Sequence, residues 1–187
     1  TVRNEVRDTL VTNMNLEKIL RGVAIASVFA LPFICLIVAS NLFFPYITGK
    51  NFAFRIITEI GFGAWLALAL VQEKYRPRRS WLLGAFAIFV LMIAIADAQG
   101  VVPFKSFWSN FERMEGLILF IHLIAYFFIA GSVMKYRETW FKWFFNVSLV
   151  ISVLIGISAF VDFYSAASQS GYRIYGSLGN SSYLGVY

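Results

Sequence analysis

Two stretches of the chain place arginine among aromatic rings and turn residues, a combination suited to gripping an anion beside an apolar surface. The first, DAQGVVPFKSFWSNFERMEG (97–116), sets Gly100 and Pro103 before Phe104, Lys105, Phe107, Trp108 and Phe111, followed by Glu112, Arg113 and Glu115. The second, SQSGYRIYGSLGNSSY (168–183), holds Arg173 between Tyr172 and Tyr175, ahead of Gly176, Gly179 and Asn180. Glycine permits close backbone approach, and a guanidinium binds a phosphate through two parallel hydrogen bonds. Residue types leave a plainer reading open for each. The first also suits an interfacial anchor with Trp108 among headgroups and Arg113 paired with Glu112 or Glu115, the second a flexible loop with one interfacial arginine. Read as a helix from Ser106, the first stretch puts Phe107, Phe111 and Met114 on one face, with Ser109 as a cap for NFERMEG.

Other polar residues carry less. Arg55 and Glu59 are spaced i, i+4, the pattern of a helix-end ion pair that shields Glu59 from lipid. His122 lies in an apolar run and reads as an interhelical hydrogen-bond donor rather than a proton carrier, and Asp162 as a water-facing residue. The basic run KYRPRRS (74–80) reads as a topology anchor. The chain contains no Asp-x-Asp pair for a sugar-phosphate cation, no P-loop, no Gly-x-Ser-x-Gly elbow and no His-Glu-x-x-His. With one cysteine, Cys35, it can form neither an intrachain disulfide nor a Cys₄ or Cys₂His₂ zinc site.

The elements that must hold these residues are membrane spans. Of the 187 residues, 59% are hydrophobic and only 14% charged, and the mean hydropathy of +0.72 belongs to a chain solvated by lipid. The excess of Lys and Arg (16 against 10 acidic residues) is then a matter of topology, and no nucleic-acid partner is expected. Apolar runs predict five helical spans: Gly22 to Phe44, Ile56 to Val71, Ser80 or Trp81 to Ala96, Gly116 to Met134 and Trp143 to Val161. The expected fold class is an all-α polytopic transmembrane bundle, residues 22–187, preceded by a basic cytoplasmic segment, 1–21. Eleven of the cations fall before span one or in the loops after spans two and four, and five in the alternate segments. The positive-inside rule therefore puts the amino terminus in the cytoplasm, and 45–55, 97–115 and everything after about residue 165 outside. Met14 opens the basic lead MNLEKILRG, so residues 1–13 read as upstream read-through. GNSSYLGVY reads as a turn into a sixth apolar run, as in the first part of a longer polytopic protein.

Three runs, FFPYITGKNFAFRIITEI, SFWSNFERMEGL directly before an apolar span, and RIYGSLGNSSYLGVY after the next, resemble the amino-terminal half of the O-antigen ligase family. The likeness extends from about Leu42 to Tyr187, and its most specific part is the aromatic loop with Arg113 and Gly116. The last run departs from the family's Arg, Gly-x-x-Gly-Asn turn in carrying Ser181 and Ser182 where Pro-Asn is common. The resemblance implies a bundle of about twelve spans in the cytoplasmic membrane. It implies transfer of a glycan from a polyprenyl pyrophosphate carrier to an acceptor hydroxyl on a glycan, lipid or protein at the outer face, with no cofactor or metal. It further implies that Arg113 and Arg173 act catalytically on the departing pyrophosphate, that Lys105, Trp108, Phe111 and Asn180 bind substrate, and that a catalytic histidine lies in a second half. A non-catalytic transporter or flippase component for lipid-linked glycans is the competing expectation.

Overall fold

A computed structural model describes residues 2–77, 80–110, 113–135, 137–166 and 173–186, with side chains from residue 14 onward except those of 138 and 166. The described residues are helical and contain no strand. The helices are α1 (Val2–Ala30), α2 (Thr48–Val71), α3 (Trp81–Ala98), the short α4 (Pro103–Trp108), α5 (Leu117–Met134), α6 (Glu138–Ala166) and the short α7 (Ser181–Val186). Five segments are long and apolar enough to cross a bilayer: Met14–Leu36, Thr48–Val71, Trp81–Ala98, Leu117–Met134 and Thr139–Ser165.

Each expected span is present, but the first ends early. A continuous helix from Gly22 to Phe44 is not formed: α1 stops at Ala30, continues as a 3₁₀ helix over Leu31–Leu36, and gives way to turns. Pro32 at the start of the 3₁₀ segment is the cause, because its ring has no N–H to donate and clashes with the preceding turn of an α-helix. The residues thereby released, 37–47, form turns that lead into α2, closed by an Ala39 N–H donated to the Pro45 carbonyl (2.9 Å). In compensation α2 starts at Thr48, well before the expected Ile56, which brings Lys50, Asn51 and Arg55 onto its first two turns.

Packing is centred on α2. It lies along α1 on one side and α5 on the other, and α3 packs on α5. Ala24 and Val28 of α1, Trp65, Leu68 and Ala69 of α2, Tyr75, and Ile129 and Val133 of α5 form the main apolar cluster. Trp65 ties this cluster together, its indole Nε1 donating to the Tyr75 carbonyl (3.1 Å) and to Ser132 Oγ (2.7 Å), while Ser132 Oγ donates in turn to the same carbonyl (3.1 Å). Such closure matters in lipid, where no water is at hand to satisfy a buried polar group. On α3 and α6, by contrast, large apolar side chains such as Leu82, Met92, Leu149 and Val153 are exposed, as lipid-facing surfaces are.

The antiparallel run of the spans gives the bundle two ends. One, the basic end, carries the turn Glu73–Tyr75 and Lys135. The other, the loop end, gathers 37–47, the start of α2, the stretch from α4 to α5, and 173–186.

Candidate functional site at the loop end

Three chain segments distant in sequence meet at the loop end, and the first turns of α2 hold them. Asn51 Nδ2 donates to the Arg113 carbonyl at 2.7 Å. Arg55, buried at the α2–α5 contact, donates from Nη1 to Met114 Sδ (2.8 Å) and from Nη2 to the Met114 carbonyl. Lys50 Nζ donates to the Ser177 carbonyl, and Ser177 Oγ donates to the Cys35 carbonyl at 3.0 Å. One helix terminus thus holds both arginine-bearing stretches largely through main-chain acceptors, with Met114 Sδ and the Ser177 hydroxyl as the loop side chains that also take part.

Two glycines allow the approach. Gly116 precedes α5, and a Cβ there would run into the carbonyl oxygens of Ser106 and Phe107, so the chain can fold back from α4 only with glycine at this point. Gly179 sits at φ +72 against the face of Tyr46, where a side chain would meet both backbone strain and the ring. Tyr46 and Tyr175 pack edge to face with centroids 5.6 Å apart. Burial, then the neighbouring Tyr175 phenol and the Asp162 carboxylate, push the Tyr46 phenol above its ordinary value and hold it neutral.

Between these walls lies an open cleft of ≈ 800 Å³, lined by Tyr46, Lys50, Asn51 and Glu115 on one side and by Leu178, Tyr183 and Val186 on the other. Its cation is Lys50. Arg113 is half-buried one hydrogen bond away, with its guanidinium carbon 5.0 Å from the centre of the Phe44 ring, a cation–π arrangement that orients it. Arg173 is exposed and has no hydrogen-bond or ion-pair partner among the described residues. Lys105 is exposed on α4, and Trp108 ends α4 half-buried, edge-on to Phe107 with centroids 4.9 Å apart. Phe111 lies outside the described residues.

The expected helix from Ser106 is not formed. The helix in this loop is α4, which starts at Pro103, whose fixed φ and missing N–H suit a first helical position. Ser109 terminates that helix instead of capping a later one; at φ +62 it leaves the helical region, and its N–H donates to the Lys105 carbonyl (2.6 Å). Asn180 also takes a structural part, its Oδ1 accepting from the Ser182 N–H (2.8 Å) at the start of α7. The residues missed by type are Lys50 and Asn51. Their signal was the run of polar side chains, Lys50, Asn51 and Arg55, inside what proves to be the first two turns of a spanning helix.

A second polar group lies within the spans. Among the described residues Glu59 pairs not with Arg55 but across the helix contact with His122, whose Nε2 is 3.0 Å from Glu59 Oε1 and whose Nδ1 is 2.7 Å from the Ile118 carbonyl. A carbonyl only accepts, so Nδ1 carries a hydrogen. Nε2 is then the ring nitrogen left to meet the Glu59 carboxyl. The pair borders a cavity of ≈ 240 Å³ with Thr58, Phe62 and Phe128, and the buried Thr58 Oγ1 has no hydrogen-bond partner among the described residues. No three His, Cys, Asp or Glu side chains among the described residues converge as a metal site would require, and the charged residues lining the cleft are Lys50 and Glu115. No family model matches the chain, and neither a curated protein nor a solved structure gives a significant match.

Proposed function

We propose that this chain is the amino-terminal part of a membrane glycan transferase of the O-antigen ligase or polymerase type. It moves a glycan from a polyprenyl pyrophosphate carrier to an acceptor hydroxyl on the outer face of the cytoplasmic membrane, with its own amino terminus in the cytoplasm. The observation that carries the reading is the convergence at one bundle end of the two arginine-bearing stretches on α2, around a cleft with Lys50 on its wall.

The chemistry follows from where charge builds up. As the bond between the anomeric carbon and the pyrophosphate oxygen breaks, negative charge grows on the leaving oxygens, and cations already in place stabilise that state without reorganising. The acceptor hydroxyl attacks the anomeric carbon and yields its proton to a base, which the family resemblance puts in a second half of the protein. Lys50 and Arg113 receive the pyrophosphate from the α2 side and Arg173 from the opposite loop, while Lys105 adds to the field. Trp108 offers an aromatic face to sugar or isoprenoid. The position of α2 favours this, because its tie to the Arg113 carbonyl holds the backbone while the guanidinium stays over the Phe44 ring.

A second reading, a transporter or flippase component for lipid-linked glycans, draws on the Glu59–His122 pair, since ionisable groups inside spans mark ion or substrate paths. The experiment that separates the two is release of polyprenyl pyrophosphate from a lipid-linked oligosaccharide by the full-length protein in detergent with EDTA present. Acceptor-dependent release that is lost in Arg113→Ala or Arg173→Ala, with membrane insertion intact, supports the transferase. No release with any of several acceptors overturns it, and normal turnover in Arg113→Ala removes that residue from the mechanism.

A further inference from the structure

The opposite end of the bundle holds a different kind of opening. Between the turn after α2, the start of α3 and the last turns of α5 lies a cavity of ≈ 440 Å³. Arg76 and Lys135 stand at its rim with Ser80, and Leu83, Phe127 and Gly131 form its apolar wall. Its back is rigid, since Ser132 there is buried and bonded to both Trp65 and Tyr75. Arg76 is held by one edge, with Nε donating to the Ala69 carbonyl at 3.2 Å. Its ion pair with Glu73 at 3.1 Å is exposed and of the i, i+3 kind that contributes little. Lys135 Nζ makes one long bond, 3.3 Å to the Lys74 carbonyl. The first turn of α3, whose backbone N–H groups attract anions, opens onto the same rim, with Ser80 as its cap.

We propose that this cavity seats one anionic phospholipid, with its phosphate between Arg76 and Lys135 and an acyl chain against Leu83, Phe127 and Gly131. Charge and polarity divide along the cavity as they do along such a lipid. A small free anion would leave the apolar wall uncovered, and a zwitterionic lipid would bring its own ammonium group up to the cations that hold its phosphate. Basic pockets between spans are recurrent sites for acidic headgroups. The site is separate from the loop end and independent of the transferase reading.

The wall supplies its own test. Gly131 lines the cavity and a Cβ there would meet nothing within 4 Å, so Gly131→Leu is the substitution that puts added bulk on this wall. Native mass spectrometry of the full-length protein in detergent, titrated with phosphatidylglycerol and with phosphatidylcholine of the same acyl chains, reads retention directly. The expected result is one phosphatidylglycerol retained about tenfold more tightly than phosphatidylcholine, with the preference lost in the double variant Arg76→Gln/Lys135→Gln. Gly131→Leu should lose retention of the tightly held lipid at unchanged melting temperature. Equal retention of the two lipids by the wild type overturns the proposal. So does displacement of the lipid by millimolar inorganic phosphate, which marks a simple anion site, or unaltered retention in Gly131→Leu. A Gly131→Leu protein that melts much lower while the wild type holds no lipid shows that another part of the protein occupies the cavity, which also overturns it. Should Gly131→Leu fail to fold for any other reason, the charge variant decides alone.

Discussion

The two ends of the bundle differ in what one carboxylate or one helix end holds: at the basic end Glu17 gathers three side chains, at the loop end α2 gathers loop backbone. At the basic end bonds between side chains stand beside bonds to the main chain: Glu17 of α1 accepts from Lys74 Nζ (2.6 Å), Tyr75 Oη (2.7 Å) and Gln72 Nε2 (2.8 Å), and Trp65 binds both Ser132 and the Tyr75 carbonyl. At the loop end side chains of α2 bind the main chain of their neighbours, at Arg113, Met114 and Ser177. A side-chain pair uses up both partners, whereas a tie to a carbonyl positions a loop and leaves its side chain for something else. The first arrangement holds helices together. The second builds a platform, and it is found where the candidate cations are.

If that contrast is right, changes at the loop end should reduce activity more than stability, and changes at the basic end the reverse. The largest effect is expected of Gly116→Ala, where the added carbon meets backbone that has no room to yield. Misplacement of Arg113 by about 1 Å should cut glycan transfer by about 100-fold, with all five spans still inserted, as assayed by turnover and protease protection. Wild-type turnover in that variant would break the link between loop geometry and activity. Trp65→Phe removes the donor that joins α2 to α5 and should cost about 1 kcal/mol, seen as a lower melting temperature with near-normal turnover below it. Asn51→Ala should cost less than about 1 kcal/mol in stability while lowering turnover about tenfold, because it frees the Arg113 carbonyl. Equal proportional losses in these two variants would erase the distinction between the ends.

The smallest effect is a pH dependence. The folded state raises the Tyr46 phenol above the ordinary 10.0, so folding favours the protonated form. The corresponding stability is present below pH 10.0 and is lost as the pH rises through the raised value. Melting temperature followed from pH 9 to 11 should fall more steeply in the wild type than in Tyr46→Phe, and parallel curves would remove Tyr46 from the packing of the loop end.

The spans were legible because lipid demands about 20 consecutive apolar residues of any helix that crosses it, and that demand is written residue by residue. Their ends were less so. Pro32 is visible in the sequence, yet whether such a proline kinks a span or ends it depends on what the following residues can pack against, and here 37–47 form turns. The loop from 97 to 116 showed its composition but not its helix, since Pro103 and Ser106 both offer plausible starts and the closure at Gly116 onto Ser106 and Phe107 is what sets the geometry.

For the site, the sequence by itself determined the chemical inventory: arginines among aromatic rings on loops between apolar spans, one histidine, one cysteine, and five runs able to cross a membrane. Residue type and local periodicity suffice for that, because both are properties of neighbours along the chain. Only the tertiary structure decided that Asn51 holds Arg113, that Lys50 reaches Ser177 across 127 positions, and that Glu59 turns from Arg55 to His122. These choices rest on which helix faces which, and that is set by the summed packing of α1, α2 and α5, a quantity that no short stretch of sequence contains.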